Sequence, residues 1–419
     1  MAERDASALE ETYIRLGDRV QTIRRPAVPP AADFSEAAVI AAARKQTGLD
    51  DFGEDEFLPN LRVLIRAMEN EAKLNAFGRV MARQFLVARL ADRLRAQNLF
   101  ALHPEILKTE LGPMTFVVGA ARSGTTRAHR LLARDPRFLF LRDWEINFPV
   151  PMPASFSESP DPRIGRARGA HAAFLSMNPE NASIHTLDAE APEEEIGLLN
   201  MSFASMMIEA QRFVPSYGRY CLETNQRAAY EYMKKLIQLI AWFRKDDRER
   251  PWVFKSPQHM QDLDALMQVF PDAKVIFMHR DPRKTVASTC SMFWNISILG
   301  SDENDPYALG HYIADKVHRQ IEKVERERAS VVPPVQQLDV RYADMNTDWK
   351  REMQRIYEFI SLDFTSEARA ALDAASADKE ARHGGHRYSL EEFGLSPGEI
   401  DRRFSGYVDK YGIPREGGQ

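Results

Sequence analysis

The chain has 419 residues, 44% hydrophobic and 28% charged, which excludes a disordered or fibrous protein and suits one large α/β unit with a helical addition. A net charge of −5 excludes the concentrated lysine and arginine surplus of a nucleic-acid surface. The two cysteines, Cys221 and Cys290, have no Cys or His at ligand spacing beside them, so neither a disulfide framework nor a zinc site is expected.

The first residues, MAERDASALEETYIRLGD, are charged where a signal peptide requires an apolar core. No run reaches the length of a bilayer span, so a cytoplasmic protein without a transmembrane segment is expected. Residues 1–110 read as a helical N-terminal region: Val80, Val87, Leu90 and Leu94 share one face at helical spacing, between Arg83, Arg89 and Asp92. Before it, the proline-rich stretch RRPAVPPAADFSEA (residues 24–37) is a linker, with Ser35 placed to cap an alanine-rich helix.

Residues 111–419 form the second expected domain. From Met114, MTFVVGAARSGTTRAHRLLARDP spells strand, glycine loop and helix. The same grammar returns in PWVFKSPQHMQDLDALMQVFPDAKVIFMHRDP, where Leu263, Leu266, Met267 and Phe270 line one side of a helix between two strands. A further strand, VQQLDVRY (residues 335–342), leads into a helix bearing Met353, Ile356, Tyr357 and Ile360. Strands alternating with helices predict a parallel sheet covered on both faces. Residues 149–250, less regular and rich in Met and Phe, are expected to be a helical insertion lining a substrate cavity. Near the end, Ser396, Pro397 and Glu399 spell a capping box for a last helix.

The loop GAARSGTT (residues 119–126) has the spacing of a phosphate-binding P-loop, but Thr125 stands where that motif has its lysine. Backbone N–H groups at a helix N-terminus still form an anion cradle, reinforced by Arg122, Ser123, Gly124, Thr125 and Thr126. A second cluster, His279-Arg280-Asp281-Pro282-Arg283, follows a strand, with Ser288 eight residues after Arg280. An arginine at a strand end and a serine in the next helix can converge on one phosphate, since ligands of open α/β sheets bind at the carboxyl edge. The competing readings are a structural turn for the loop and a solvated ion-paired turn for the second cluster.

Together, GAARSGTT, FKSPQH (residues 254–259), VFPDAKVIFMHRDPRKTVAS (residues 269–288) and VRYADM (residues 340–345) resemble the sulfotransferase family, in particular its bacterial-type members related to tyrosylprotein sulfotransferases. The resemblance implies a P-loop-like fold and a donor, 3′-phosphoadenosine 5′-phosphosulfate, with no metal. It further implies that Arg122, Ser123, Gly124, Thr125 and Thr126 grip the 5′-phosphosulfate, that Arg280 and Ser288 bind the 3′-phosphate, and that Tyr342 packs beside the adenine. Ala343 departs from the family's usual Glu, so only the tyrosine carries over. Lys255 matches the lysine on the leaving bridge oxygen, and Arg387 falls where family members close a loop over the nucleotide.

A transferring sulfuryl group carries less charge than a phosphoryl group, so one lysine plus backbone amides can manage it, but the acceptor hydroxyl still needs a base. Glu145, in Asp143-Trp144-Glu145, resembles the catalytic glutamate of tyrosylprotein sulfotransferases, offset by a few residues. His259 is the other candidate, near the place where cytosolic sulfotransferases carry a histidine, a place that Pro257 occupies here. His129 reads as a packed or capping histidine. Two rivals remain: a nucleotide-dependent kinase on a P-loop fold, which Thr125 argues against, and a noncatalytic nucleotide-binding protein, which Lys255 with Glu145 and His259 argues against. The acceptor is expected to be a small or lipid-like alcohol or phenol, because Met and Phe accumulate between Phe148 and Tyr217. The acidic run EAPEEE (residues 190–195) argues against anionic polysaccharides.

Overall fold

The computed structural model describes residues 9–29, 33–184, 187–380 and 388–417. Its centre is a parallel sheet of β3 (Met114–Val118), β4 (Trp252–Lys255), β5 (Lys274–His279) and β6 (Gln337–Arg341), in the order β4-β3-β5-β6. Phe116 pairs with Phe254 on one side and Val275 on the other, and Val117 with Lys255 and Ile276. The expected α/β architecture, a parallel sheet flanked by helices, is the one found.

Strand alternation explains the two layers. Phe116, Val118, Phe254, Val275 and Phe277 point into a core shared with the helices Arg227–Arg244, Leu263–Val269, Pro282–Ser297 and Pro306–Val331. Val117, Val253, Ile276, Met278 and Val340 point to the other face, against the helices Thr125–Leu132 and Trp349–Ile360. With both faces covered, β3, β4 and β5 are largely apolar, as parallel strands are, whereas the edge strand β6, QLDVR, is mostly polar.

The N-terminal helices Glu36–Thr47, Leu58–Asn70 and Ala76–Leu102 are present, and Ser35 caps the first, its Oγ accepting from the Ala38 amide at 3.4 Å. Their buried face, including Leu61, Leu64, Leu86, Leu90 and Leu94, shares one core with Phe203, Ile208, Val214 and Tyr217 of the insertion.

Residues 9–26 correct the expectation of a helical start. They form an antiparallel hairpin, β1 (Leu9–Leu16) and β2 (Arg19–Pro26), turning at Gly17, whose φ of +56° favours glycine. Two strands alone are marginal in water. Here the buried Leu16 and Ile23 join the main core, each contributing about 1.5–3 kcal/mol. The Trp294 indole N–H donates to Gln21 Oε1 at 2.7 Å, and Arg25 donates to the Ile298 carbonyl at 2.6 Å. Among the described residues no helix is long and apolar enough to cross a membrane.

Candidate functional site

All of the strand ends that matter open at the carboxyl edge of the sheet. After β3 the chain turns through residues 119–124 into the helix Thr125–Leu132. Two glycines make that turn possible. A Cβ on Gly119 would come within 2.6 Å of Ser123 Oγ and 2.8 Å of the Met278 carbonyl, and one on Gly124, at φ +94°, within 2.4 Å of the Tyr342 ring. Ser123 is buried, and its Oγ has no hydrogen-bond partner among the described residues. An orphaned hydroxyl beside free helix-end amides is the signature of a cradle made for oxygen atoms. Arg122, in the left-handed region at φ +68°, has no carboxylate within salt-bridge distance among the described residues, and burial lowers the pKa of its guanidinium. A desolvated cation without a partner anion calls for one.

The second cluster meets the first. Arg122 Nε donates to Ser288 Oγ at 2.9 Å, and Arg280 donates to the Arg122 carbonyl at 2.9 Å. Arg280 sits over the Tyr342 ring, its Cζ 3.9 Å from the centroid. Asp281 caps the helix Pro282–Ser297 through the Arg283 amide, and so aims Ser288 back at the loop. Arg122, Gly124, Arg280, Ser288 and Tyr342 therefore line one cleft. Arg387 lies outside the described residues.

Lys255 ends β4 and is 1% exposed. Its Nζ donates to Glu194 and its backbone N–H to Glu195 Oε2 at 3.0 Å. Glu195 in turn bonds His259 Nε2 at 2.5 Å, and His259 Nδ1 bonds the Tyr230 hydroxyl at 2.7 Å. Burial opposes ionisation of Glu195, but the bonds from His259 and the Lys255 amide outweigh it and hold its carboxyl below the usual range. Glu194 differs: burial raises its carboxyl above the ordinary value against the pull of Lys255, and its side chain is 24% exposed. His129 is wholly buried; burial, aided by the Lys255 charge, lowers it to about 4, so it is neutral at pH 7.

Both candidate bases, Glu145 and His259, are buried and bonded. Glu145 is 1% exposed and closes its own helix start by accepting from the Arg142 amide at 2.8 Å. Arg244 engages both of its oxygens, Nε at 2.6 Å, and itself packs against Trp252 at the far end of β4 from Lys255. A carboxylate so paired is a buried ion pair and has no lone pair turned to the cleft. His259 has both nitrogens engaged and no exposure, so it reaches Lys255 only through Glu195. The residues that sequence reasoning missed are Glu194 and Glu195. Their signal was present: the carboxylates of EAPEEE directly precede the apolar turn Ile196–Leu199, which is buried and draws them inward. Among the described residues no three His, Cys, Asp or Glu side chains are grouped to hold a metal ion.

A family profile described as "Sulfotransferase family" matches residues 113–366. Among curated relatives, the omega-hydroxy-beta-dihydromenaquinone-9 sulfotransferases Stf3 of Mycobacterium bovis and Mycobacterium tuberculosis are each 24% identical over 317 residues, 72% of this chain and 76% of theirs. Among solved structures, sulfotransferase STF1 from Mycobacterium tuberculosis H37Rv superposes with a TM-score of 0.77 at 32% identity, covering 89% of this chain and 98% of that one. Sulfotransferase STF9 from Mycobacterium avium gives 0.79 at 25% identity, over 92% and 100%.

Proposed function

Since the chain belongs to the sulfotransferase family and uses 3′-phosphoadenosine 5′-phosphosulfate as donor, we propose that it sulfates the hydroxyl of a lipid-like apolar alcohol, with Glu194 as the base. The observation that carries the reading is one juxtaposition: Arg122 Nε bonded to Ser288 Oγ ties the loop after β3 to the cluster after β5, and Glu194, the partner of Lys255, acts on the Arg122 charge. In the proposed complex the cradle at residues 122–126 holds the 5′-phosphosulfate, and Arg280 with Ser288 takes the 3′-phosphate. Tyr342 stands beside the nucleotide.

The acceptor oxygen attacks sulfur in line as the bond from sulfur to the 5′-phosphate oxygen breaks. Lys255 meets the charge growing on that leaving oxygen, an interaction that strengthens toward the transition state. The acceptor proton passes to Glu194, so the products are a sulfate ester, 3′-phosphoadenosine 5′-phosphate and a protonated carboxyl. The raised pKa of Glu194 fits it for this, because burial makes its carboxylate a stronger proton acceptor than a solvated one. Glu195, His259 and Tyr230 form a buried chain that fixes the backbone of Lys255 and leaves its Nζ to Glu194 and the donor.

Support for the acceptor class comes from the Stf3 relatives, whose name specifies a hydroxylated menaquinone. Of the methionines and phenylalanines between Phe148 and Tyr217, Met201, Phe203 and Met206 are buried, whereas Phe156 is exposed and Phe148, Met152, Phe174, Met177 and Met207 are partly buried. Mass-spectrometric detection of sulfated product across long-chain alcohols, hydroxylated isoprenoid quinones, phenols and oligosaccharides tests the reading. Products are expected from the apolar alcohols; turnover on oligosaccharides alone would overturn the acceptor class.

A further inference from the structure

Arg280 already holds an anion that belongs to the chain itself. The helix Pro397–Tyr411 ends at Gly412, at φ +56°, and the chain folds back toward the cleft. Ile413 is buried beneath it, and the Gly412 carbonyl accepts from Arg341 at 3.1 Å. Arg415 then spans Asp281, at 3.3 Å, and Asp401, at 2.7 Å. The Glu416 amide donates to Asp281 Oδ2 at 2.9 Å, and the Glu416 carboxylate receives the Arg280 fork in two parallel bonds, from Nε and from a terminal nitrogen, both 2.7 Å.

A guanidinium fork makes the same paired contact with a carboxylate as with a phosphate. Arg280 also gives one terminal nitrogen to the Arg122 carbonyl and sits over Tyr342, and the Nε edge bound to Glu416 is an edge on which a phosphate makes the same paired contact. Among the described residues no other side chain bonds the Glu416 carboxylate, which is 26% exposed. The contact is therefore well aimed, shallow and tethered.

We propose that Glu416 is an internal occupant of the 3′-phosphate subsite, held there by Arg415 and Asp281, and that the donor must displace it to bind. This rests on the reading of Arg280 as the 3′-phosphate ligand. A 3′-phosphate outcompetes the carboxylate because it brings more charge and a further oxygen for Ser288. A nucleotide without that phosphate leaves the carboxylate in place. The segment thus sharpens selection for the 3′-phosphorylated nucleotide at the cost of apparent affinity, which falls by the fraction of molecules with the subsite open.

Calorimetry with 3′-phosphoadenosine 5′-phosphate and with adenosine 5′-phosphate, on the wild-type chain, Glu416→Gln and Arg280→Ala, tests this. Glu416→Gln keeps the shape and removes the charge. It is expected to tighten the 3′-phosphorylated nucleotide about 3- to 10-fold and leave adenosine 5′-phosphate unchanged. If the wild type prefers the 3′-phosphorylated nucleotide and Arg280→Ala removes the preference, yet Glu416→Gln binds it no tighter, the internal occupant is refuted while the subsite stands. If the wild type binds both nucleotides equally, the subsite reading fails and takes the occupant with it. Hydrogen exchange gives a second readout: the peptide around residues 412–417 is expected to exchange faster with the 3′-phosphorylated nucleotide bound, and slower exchange would overturn the displacement.

Discussion

Lys255 closes β4, Arg280 directly follows β5, Tyr342 directly follows β6, and Arg122 lies in the turn after β3; each is placed by the strand that precedes it. Glu194 and Glu195 come to Lys255 differently, from 61 and 60 residues earlier and from a segment with no strand of its own. The first group is set by sheet topology and needs only local sequence to stay in place. The second depends on how residues 141–199 pack over the sheet edge, for instance through the Glu193 amide on the Leu141 carbonyl at 2.9 Å. On the proposed function, one consequence is a division of labour in which donor groups are tied to the fold while acceptor-side groups can vary with packing.

The largest effect separates the two glutamates that this contrast sets against each other. Glu194→Gln is expected to lower kcat about a hundred- to ten-thousand-fold. Its pH dependence has a defined sign: the wild-type rate falls as pH drops through the raised Glu194 pKa, because a protonated carboxyl accepts no proton, and that limb disappears in the variant. A variant that keeps both rate and limb would put the base elsewhere.

Glu145→Gln should act on the other axis. Removing one partner of the buried pair with Arg244 is expected to cost about 3–5 kcal/mol of stability, read as a lower melting temperature, with kcat of the folded protein retained. Loss of kcat without loss of stability would restore Glu145 as a catalytic candidate.

On the donor side, Lys255→Ala is expected to lower kcat about a hundred- to a thousand-fold with little change in 3′-phosphoadenosine 5′-phosphate affinity, measured by turnover beside calorimetry. Unchanged turnover with weaker nucleotide binding would move Lys255 from the transition state to ground-state binding. The smallest effect is expected for Arg280→Ala, which should bring 3′-phosphoadenosine 5′-phosphate and adenosine 5′-phosphate to similar affinity by removing about 1.5–3 kcal/mol of charge-assisted bonding.

What was legible followed the same contrast. MTFVV, WVFK and KVIFMH read as buried parallel strands because nearly every residue is apolar, and the glycine loop and Arg280 follow them directly. The sequence order brought Arg280 and Ser288 to one strand end, but the bond between Arg122 and Ser288 appears only in the structure. The ion pair of Glu145 with Arg244 was not legible, because a carboxylate after a tryptophan looks the same in sequence whether or not an arginine 99 residues on engages it. The acidic run holding Glu194 reads in sequence only as an argument against anionic polysaccharides, because its contact with Lys255, 61 residues on, depends on tertiary packing of the turn Ile196–Leu199. The hairpin escaped notice because charged residues interrupt its alternation: Arg15 and Arg19 flank the turn, and the buried Leu16 and Ile23 lie on different strands.

That hairpin bears on how the molecule assembles. The bonds from Trp294 to Gln21 and from Arg25 to the Ile298 carbonyl each join residues 273 apart, and they grip the far end of the helix that carries Ser288. Closing so long a loop costs entropy before any contact repays it, so these bonds form late, after the sheet and its covering helices have reduced the search. The serine side of the cleft reaches its final rigidity only when nearly the first described residues dock against the last third of the chain.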